Sequence, residues 1–363
     1  MNQVFIHAYL QGNLGDDLFV RLLCQRYPNT KFCILSHPDY KEKFKDIENC
    51  KIYSENNGIA ALIDKFLRGV VERKFWKMLV RSAKAVVHIG GSSFVQHFDD
   101  WSAFFETDVY LAEKSKGLYL IGANFGPYTD GRYLTAYHSL FQKYKGISFR
   151  DSRSYHLFAD IDHVSWAPDV IFNLKTEKRP KRRKVLLSPV HLGNRTGKYD
   201  ISGYEADYLA FHTRMIRHYL AKEYEITLVS FCPAEGDGIA VQNIWDSLTV
   251  QEREKIRCVA YEKRVDDILY EFAESSIVIG TRFHSIILGL TAGCKVLPVI
   301  YNVKTENVLR DLHCPNRLRL DELCSVREEE AEKNCIKLAE EEVERLRREA
   351  DRQFQYTDQV FKR

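Results

Sequence analysis

The sequence predicts an α/β protein of two doubly wound domains. Three observations carry this. Short apolar runs of strand length recur along both halves, and helical periodicity follows several of them. In the first half four such runs end in glycine-rich or charged loops, as strand ends beside a ligand crevice do. The chain has 363 residues, and a run of ten, K-T-E-K-R-P-K-R-R-K at 175–184, holds seven cations and divides it.

The order of elements follows from local pattern. Residues 4–8 form an apolar run ending in Gly12-Asn13-Leu14-Gly15-Asp16-Asp17, with a helix next that turns Leu18, Leu22 and Leu23 inward. This strand, glycine turn and helix lack the G-x-G-x-x-G spacing and the phosphate-loop lysine. Asp16 and Asp17 suit a helix N-terminus but repel a phosphate, so the loop reads as a contact for neutral hydroxyls or a source of a base. Residues 31–35 and 51–53 are further strands. Ile59, Leu62, Ile63, Phe66, Leu67, Val70 and Val71 repeat at helical spacing, with Lys65, Arg68, Arg73, Lys74 and Lys77 opposite. Such a helix packs on a core or lies on a membrane surface. Residues 85–89 are a buried strand followed by Gly90-Gly91-Ser92-Ser93, where small residues admit a ligand to the backbone. Strands at 118–122 and 147–149 end in Gly126-Pro127 and Arg150-Asp151.

The second half repeats the pattern, with strands at 185–190, 226–231, 276–279 and 296–301 and helices at 205–223 and 265–272. In residues 276–295, Gly280-Thr281 makes a tight turn. Thr281 is the expected N-cap of a helix from about 282 to 292 that stops at Gly293. Arg282 and His284 then stand in its first turn, at the carboxyl end of a strand, where the helix dipole favours an anion. The plainer reading pairs Arg282 with a nearby carboxylate and leaves His284 a satisfied polar residue. Residues 328–354 read as one long amphipathic helix packing back across the domains. The expected division is 1–174, a basic linker at 175–184, 185–326 and a C-terminal amphipathic helix at 327–363.

Bulk properties narrow the class. A net charge of +3 sets up no field that calls for nucleic acid. Nine scattered cysteines without a C-x-x-C pair read as reduced thiols, and neither they nor any clustered His and carboxylate spacing calls for a metal. No stretch reads as a signal peptide or a membrane span, so a cytoplasmic location is expected.

Two such halves, a linker and a late helix suggest two Rossmann-like domains facing a cleft, the GT-B-like architecture. The ordered motifs resemble the polysaccharide pyruvyl transferase family. They are Gly12-Asn13-x-Gly15-Asp16, Ile89-Gly90-Gly91, Gly126-Pro127, Arg150-Asp151-x-x-Ser154, Pro168-Asp169, Gly280-x-Arg282-x-His284-Ser285, and Tyr301 with Lys304. The family commonly carries Glu where this chain has Asp17, and a longer glycine run at 90–93.

The resemblance implies transfer of a pyruvyl group from phosphoenolpyruvate to two hydroxyls of a sugar, giving a cyclic ketal, with no cofactor and no metal. Arg282, Arg150 and Lys304 are then the charges for the donor's phosphate and carboxylate, with Arg150 facing them across the cleft. Thr281, Ser285, Gly12, Asn13, Gly90, Gly91 and Ser92 are candidate substrate contacts. His284 is the candidate general acid, since histidine as a residue type titrates near neutrality. Asp16, Asp151 and Asp169 are alternatives for the base, with Asp16 placed first. The implied acceptor is a hexose or N-acetylhexosamine, free or lipid-linked, in a surface glycan. The basic linker and helix suit peripheral contact with the cytoplasmic membrane face. Two other readings stay open: a nucleotide-sugar glycosyltransferase of the same fold, and a non-catalytic binding protein in glycan assembly.

Overall fold

The computed structural model describes residues 3–54, 74–262 and 264–362. The basic helix expected at 59–71 lies outside them. Two compact units are present: residues 1–10, 19–170 and 351–363 form one, and residues 11–18 and 171–350 form the other.

The first unit holds a parallel sheet in the order β3-β2-β1-β4-β5-β6-β7 among the described residues. Its strands are β1 Val4–His7, β2 Phe32–Ser36, β3 Cys50–Ser54, β4 Ala85–Ile89, β5 Leu118–Ala123, β6 Gly146–Phe149 and β7 Val164–Trp166. The crossovers include α1 Leu14–Arg26, α2 Tyr40–Lys43, α3 Lys74–Ser82, α4 Ser102–Lys114, α5 Gly131–Phe141 and α6 Ser152–His156. The strands are apolar on both faces because helices cover both, as a parallel sheet requires. Phe94, Phe125, Tyr137, Phe141, Phe149 and Phe158 pack into one aromatic cluster in its core.

The second unit's sheet runs β10-β9-β8-β11-β12-β13. The strands are β8 Arg182–Ser188, β9 Glu225–Ser230, β10 Ile256–Ala260, β11 Ser275–Gly280, β12 Lys295–Ile300 and β13 Leu318–Arg319. Helices α7 Glu205–Ala221, α8 Asp237–Asp246, α9 Val250–Arg253, α10 Val265–Glu274, α11 Phe283–Thr291 and α12 Val303–Asp311 connect them. Every residue of α11 is buried. Its sequence F-H-S-I-I-L-G-L-T is apolar almost all round, as a helix wrapped by protein must be. Three strands carry little sequence signal: β7 and β13 are very short, and β10 contains Arg257 and exposed Cys258.

Two expectations change. Residues 328–354 are not one helix but α13 Glu328–Lys333, α14 Glu340–Ala350 and a 3-10 turn, Asp351–Phe354, with α15 Gln355–Phe361 after it. Ile336 interrupts the run by bridging antiparallel to Val296, and a backbone committed to a sheet edge cannot continue the helical ladder. In the first unit Gln353 is buried: its amide donates to the carbonyls of Phe149 and Ala167 and its carbonyl accepts from Gly122 N–H. The cationic run also ends differently. Arg182, Arg183 and Lys184 belong to β8, and buried Lys184 pairs with buried Glu271. Lys178 pairs with Glu340, and Arg179 with Glu177 while stacking on Tyr270. Among the described residues no helix is long and apolar enough to cross a membrane.

Candidate functional site

The second sheet reverses direction at β8, with β9 on one side and β11 on the other. At such a point the crossovers leave on opposite faces, and the loops beyond the strand ends part to leave a crevice. Four loops of this unit meet the requirement: 189–198 after β8, 231–236 after β9, 281–282 after β11 and 301–302 after β12.

The turn after β11 is built by hydrogen bonds that the sequence pattern did not specify. Thr281 does not cap α11. Its hydroxyl accepts from the Tyr208 hydroxyl at 2.8 Å, which itself accepts from Val190 N–H. Arg282 occupies the N-cap position with extended backbone. Ser285 donates to the Arg282 carbonyl at 2.7 Å and accepts from Ser188 at the end of β8. Thr281 and Ser285 are both fully buried, so here they are braces of the turn.

Arg282 is 7% exposed and held by two carboxylates from the loop after β9. Its Nε and Nη2 donate to Asp237 at 3.0 and 2.5 Å, and its Nη1 donates to Glu235 at 2.5 Å. Arg195 also donates to Glu235 at 3.1 Å, and its guanidinium stacks on the Tyr301 ring at 5.1 Å. The four charges alternate and sum to zero. Despite some burial, the guanidinium of Arg282 beside Glu235 holds that carboxyl down at about 2. Burial pushes the Asp237 carboxyl up against the pull of Arg282. Asp237 further accepts from Cys232 N–H at 2.8 Å, which fixes the loop that carries Glu235. The plainer sequence reading of Arg282, a carboxylate partner, is what the structure displays. Glu235, Asp237 and Arg195 were absent from the sequence-based candidates. The available signal was position, since all three follow strand ends.

His284 sits at 8% exposure against the backbone of Gly15. A Cβ on Gly15 would stand 1.6 Å from His284 Nδ1 and 2.3 Å from its Cγ. Only glycine lets the imidazole occupy this place. The loop 11–18, grouped with this unit, is held accordingly. Gly12 takes a left-handed conformation, φ 72°. Asn13 caps α1 by accepting from Gly15 N–H at 3.0 Å, and Leu14 N–H donates to the Phe231 carbonyl at the end of β9. Asp16 is buried at the first turn, and fully buried Asp17 accepts from the Tyr261 hydroxyl at 2.6 Å. The structure therefore brings Asn13, Asp16, Thr281, Arg282, His284 and Ser285 into one unit, while half-buried Lys304 opens α12 beyond the β12 loop.

The remaining candidates lie in the first unit. Arg150 is 2% exposed, donates to Asp169 at 3.1 Å and donates to Asn124 Oδ1 at 2.8 Å. Gly91 lies directly over it: a Cβ there would meet the guanidinium at 2.4 Å. Gly91 thus makes room for a buried ion pair. Asp151 caps α6, accepting from Ser154 N–H at 2.9 Å and its hydroxyl at 2.7 Å. Gly90 has φ 148°, and Ser92 is exposed.

With this geometry in view, a family model described as polysaccharide pyruvyl transferase matches residues 13–303. A search of curated proteins returned no match. Among solved structures the chain is similar to Anabaena Alr3699/HepE in complex with UDP-glucose, at 8% identity and a TM-score of 0.54, over 99% of either chain. The same protein in complex with UDP and glucose is matched at 10% identity and 0.53, over 100% of this chain and 98% of that one. These likenesses are of fold, the two Rossmann-like α/β units of the GT-B class.

Proposed function

Because the chain belongs to the polysaccharide pyruvyl transferase family, we propose that it moves the pyruvyl carbon unit of phosphoenolpyruvate onto two hydroxyls of a sugar, releasing inorganic phosphate. The observation that supports this most is the meeting of two distant family motifs, with His284 seated on the backbone of Gly15.

In this reading the His284 imidazolium delivers a proton to the methylene carbon of the enol phosphate. The neighbouring carbon becomes electrophilic, one sugar hydroxyl adds to it, and a carboxylate takes that hydroxyl's proton. Asp16, buried and one residue on from Gly15 in α1, is the base in this reading. The second hydroxyl then attacks the same carbon as the bond to the phosphate oxygen breaks, its proton returns to the His284 imidazole, and inorganic phosphate leaves as the ketal closes. A positioned general acid contributes about 10²–10⁴-fold.

Arg282 takes a more conditional part. Its guanidinium is neutralised by Asp237 and Glu235, so it grips an anion only as Glu235 swings away. Glu235 retains 28% side-chain exposure, whereas Asp237 has none. An arriving phosphate or carboxylate would replace Glu235 on Nη1, with Arg195 and Lys304 adding charge. The acceptor is a hexose or N-acetylhexosamine unit of a surface glycan, free or lipid-linked.

The test is incubation with phosphoenolpyruvate and a panel of free, nucleotide-linked and lipid-linked sugars. Phosphate release and an acceptor gaining pyruvate with loss of water are expected, both abolished in a folded His284→Ala variant. Full turnover in that variant would sink the assignment of the acid. Turnover of a nucleotide sugar alone would favour a glycosyltransferase.

A further inference from the structure

The first unit carries a second cluster of chemistry-bearing side chains, at its own switch point. The first sheet reverses between β1 and β4, and these two strands pair in parallel with His7 directly opposite His88. Paired residues project to the same face. The two imidazoles meet with centroids 4.7 Å apart and planes at 73°. Helix α4 brings Asp108 beneath them, with Oδ1 3.9 Å from His88 Nδ1. One ligand atom from each of the three residues lies within 4.8 Å of the others.

We propose that His7, His88 and Asp108 bind one zinc ion at the carboxyl ends of β1 and β4. Zinc takes imidazole nitrogen and carboxylate oxygen at about 2.0–2.2 Å, which in a tetrahedron separates ligand atoms by about 3.3–3.5 Å. The observed spread is wider than that, so the three side chains must draw together around the ion. Two neutral nitrogens and one carboxylate suit zinc better than magnesium or calcium, which take oxygen ligands. Three protein ligands leave a fourth position for water or a substrate oxygen.

The surroundings are those of a metal site and poor ones for three ligandless groups. His88 is 5% exposed, and its Nδ1 has no hydrogen-bond partner among the described residues. Asp108 is 6% exposed, and among the described residues no lysine or arginine pairs with it. Tyr137 donates to its Oδ2 at 2.7 Å, orienting the carboxylate as outer-shell partners do and leaving Oδ1 toward His88. The rings of Phe94 and Trp76 wall the cluster at 5.4 Å from His88 and 6.0 Å from His7. Burial pushes the Asp108 carboxyl up to about 7 and the His88 imidazole well down. A divalent ion stabilises the carboxylate and needs the imidazole neutral, so it offsets the cost of both burials. The ligands are scattered over a hundred residues, so no spacing motif announces them.

The full chain, stripped with chelator, is titrated with zinc by calorimetry and with cobalt by absorption. One ion per chain is expected, with visible d–d bands and no thiolate-to-cobalt charge-transfer absorption. Asp108→Asn and His88→Gln should weaken the affinity by more than 100-fold. Tyr137→Phe, which keeps the ring packing should the ligand variants misfold, should weaken it about 10–100-fold with the spectrum retained. Absence of stoichiometric binding would overturn the proposal. So would a thiolate charge-transfer band, or an affinity unchanged in Asp108→Asn and Tyr137→Phe, since the ion would then sit elsewhere.

Discussion

Gly15→Ala isolates the position of one imidazole. The added methyl would stand 1.6 Å from His284 Nδ1 and 2.6 Å from Cε1. To reach an ordinary contact of 3.4 Å the ring must retreat by about 1.8 Å. A misplacement of about 1 Å costs on the order of 10²-fold in rate, and loss of a general acid costs about 10²–10⁴. Phosphate release from phosphoenolpyruvate should therefore fall by at least about 100-fold. Stability should fall by no more than about 2 kcal/mol. Gly15 is helical, so alanine gains about 1 kcal/mol of propensity, while crowding costs about 1–3 kcal/mol. The measurement is steady-state phosphate release beside a thermal melt, with Gly131→Ala as control, because a methyl there meets nothing within 4 Å. A folded Gly15→Ala variant with wild-type turnover would refute the placement of His284 at the reacting centre.

Arg150→Ala leaves buried Asp169 without its cation, and breaking a buried pair costs about 3–5 kcal/mol; a shift of the urea midpoint measures it. Asn13→Ala removes the cap of α1 and should cost about 0.5–2 kcal/mol in the same assay. Asp358 bonds Arg26 through both oxygens, at 2.9 and 2.7 Å, which with Tyr27 holds its carboxyl at about 2 against burial. An unfolded aspartate titrates near about 3.9. A lowered folded value means this stabilisation is complete above about pH 4 and is lost as pH falls through about 2. For a partly solvated pair it amounts to about 1 kcal/mol. Asp358→Asn should remove that part of the acid dependence, and melts between pH 5 and 2 would show an unchanged slope if the pair is inert.

Much of the fold was legible because the signals are local. Val4 to Ile6 and Ala85 to Ile89 are short apolar runs, and a strand buried on both faces needs nothing more. Gly12 and Gly293 marked a turn and a helix end that do adopt positive φ. Where a local rule had a competitor, it lost. Thr281 is a good cap by type, yet the Tyr208 hydroxyl occupies its oxygen. Residues 328–354 have helical periodicity, yet the edge pairing of Ile336 with Val296 breaks the run.

By itself the sequence determined two wound α/β sheets, the order of their long apolar strands along the chain, and the motifs that mark the family. Only the tertiary structure decided what those motif residues touch. Arg282 meets Asp237 and Glu235 because the loops after β9 and β11 converge, not because of any spacing between them. Gly15 makes room for His284 from 269 positions away, and Gly91 makes room for Arg150. Periodicity encodes which face of an element is buried, since that depends on neighbours three or four residues distant. Ion pairs, close approaches and ligand clusters depend on which strand ends the chain topology sets side by side, and that is a property of the folded sheet.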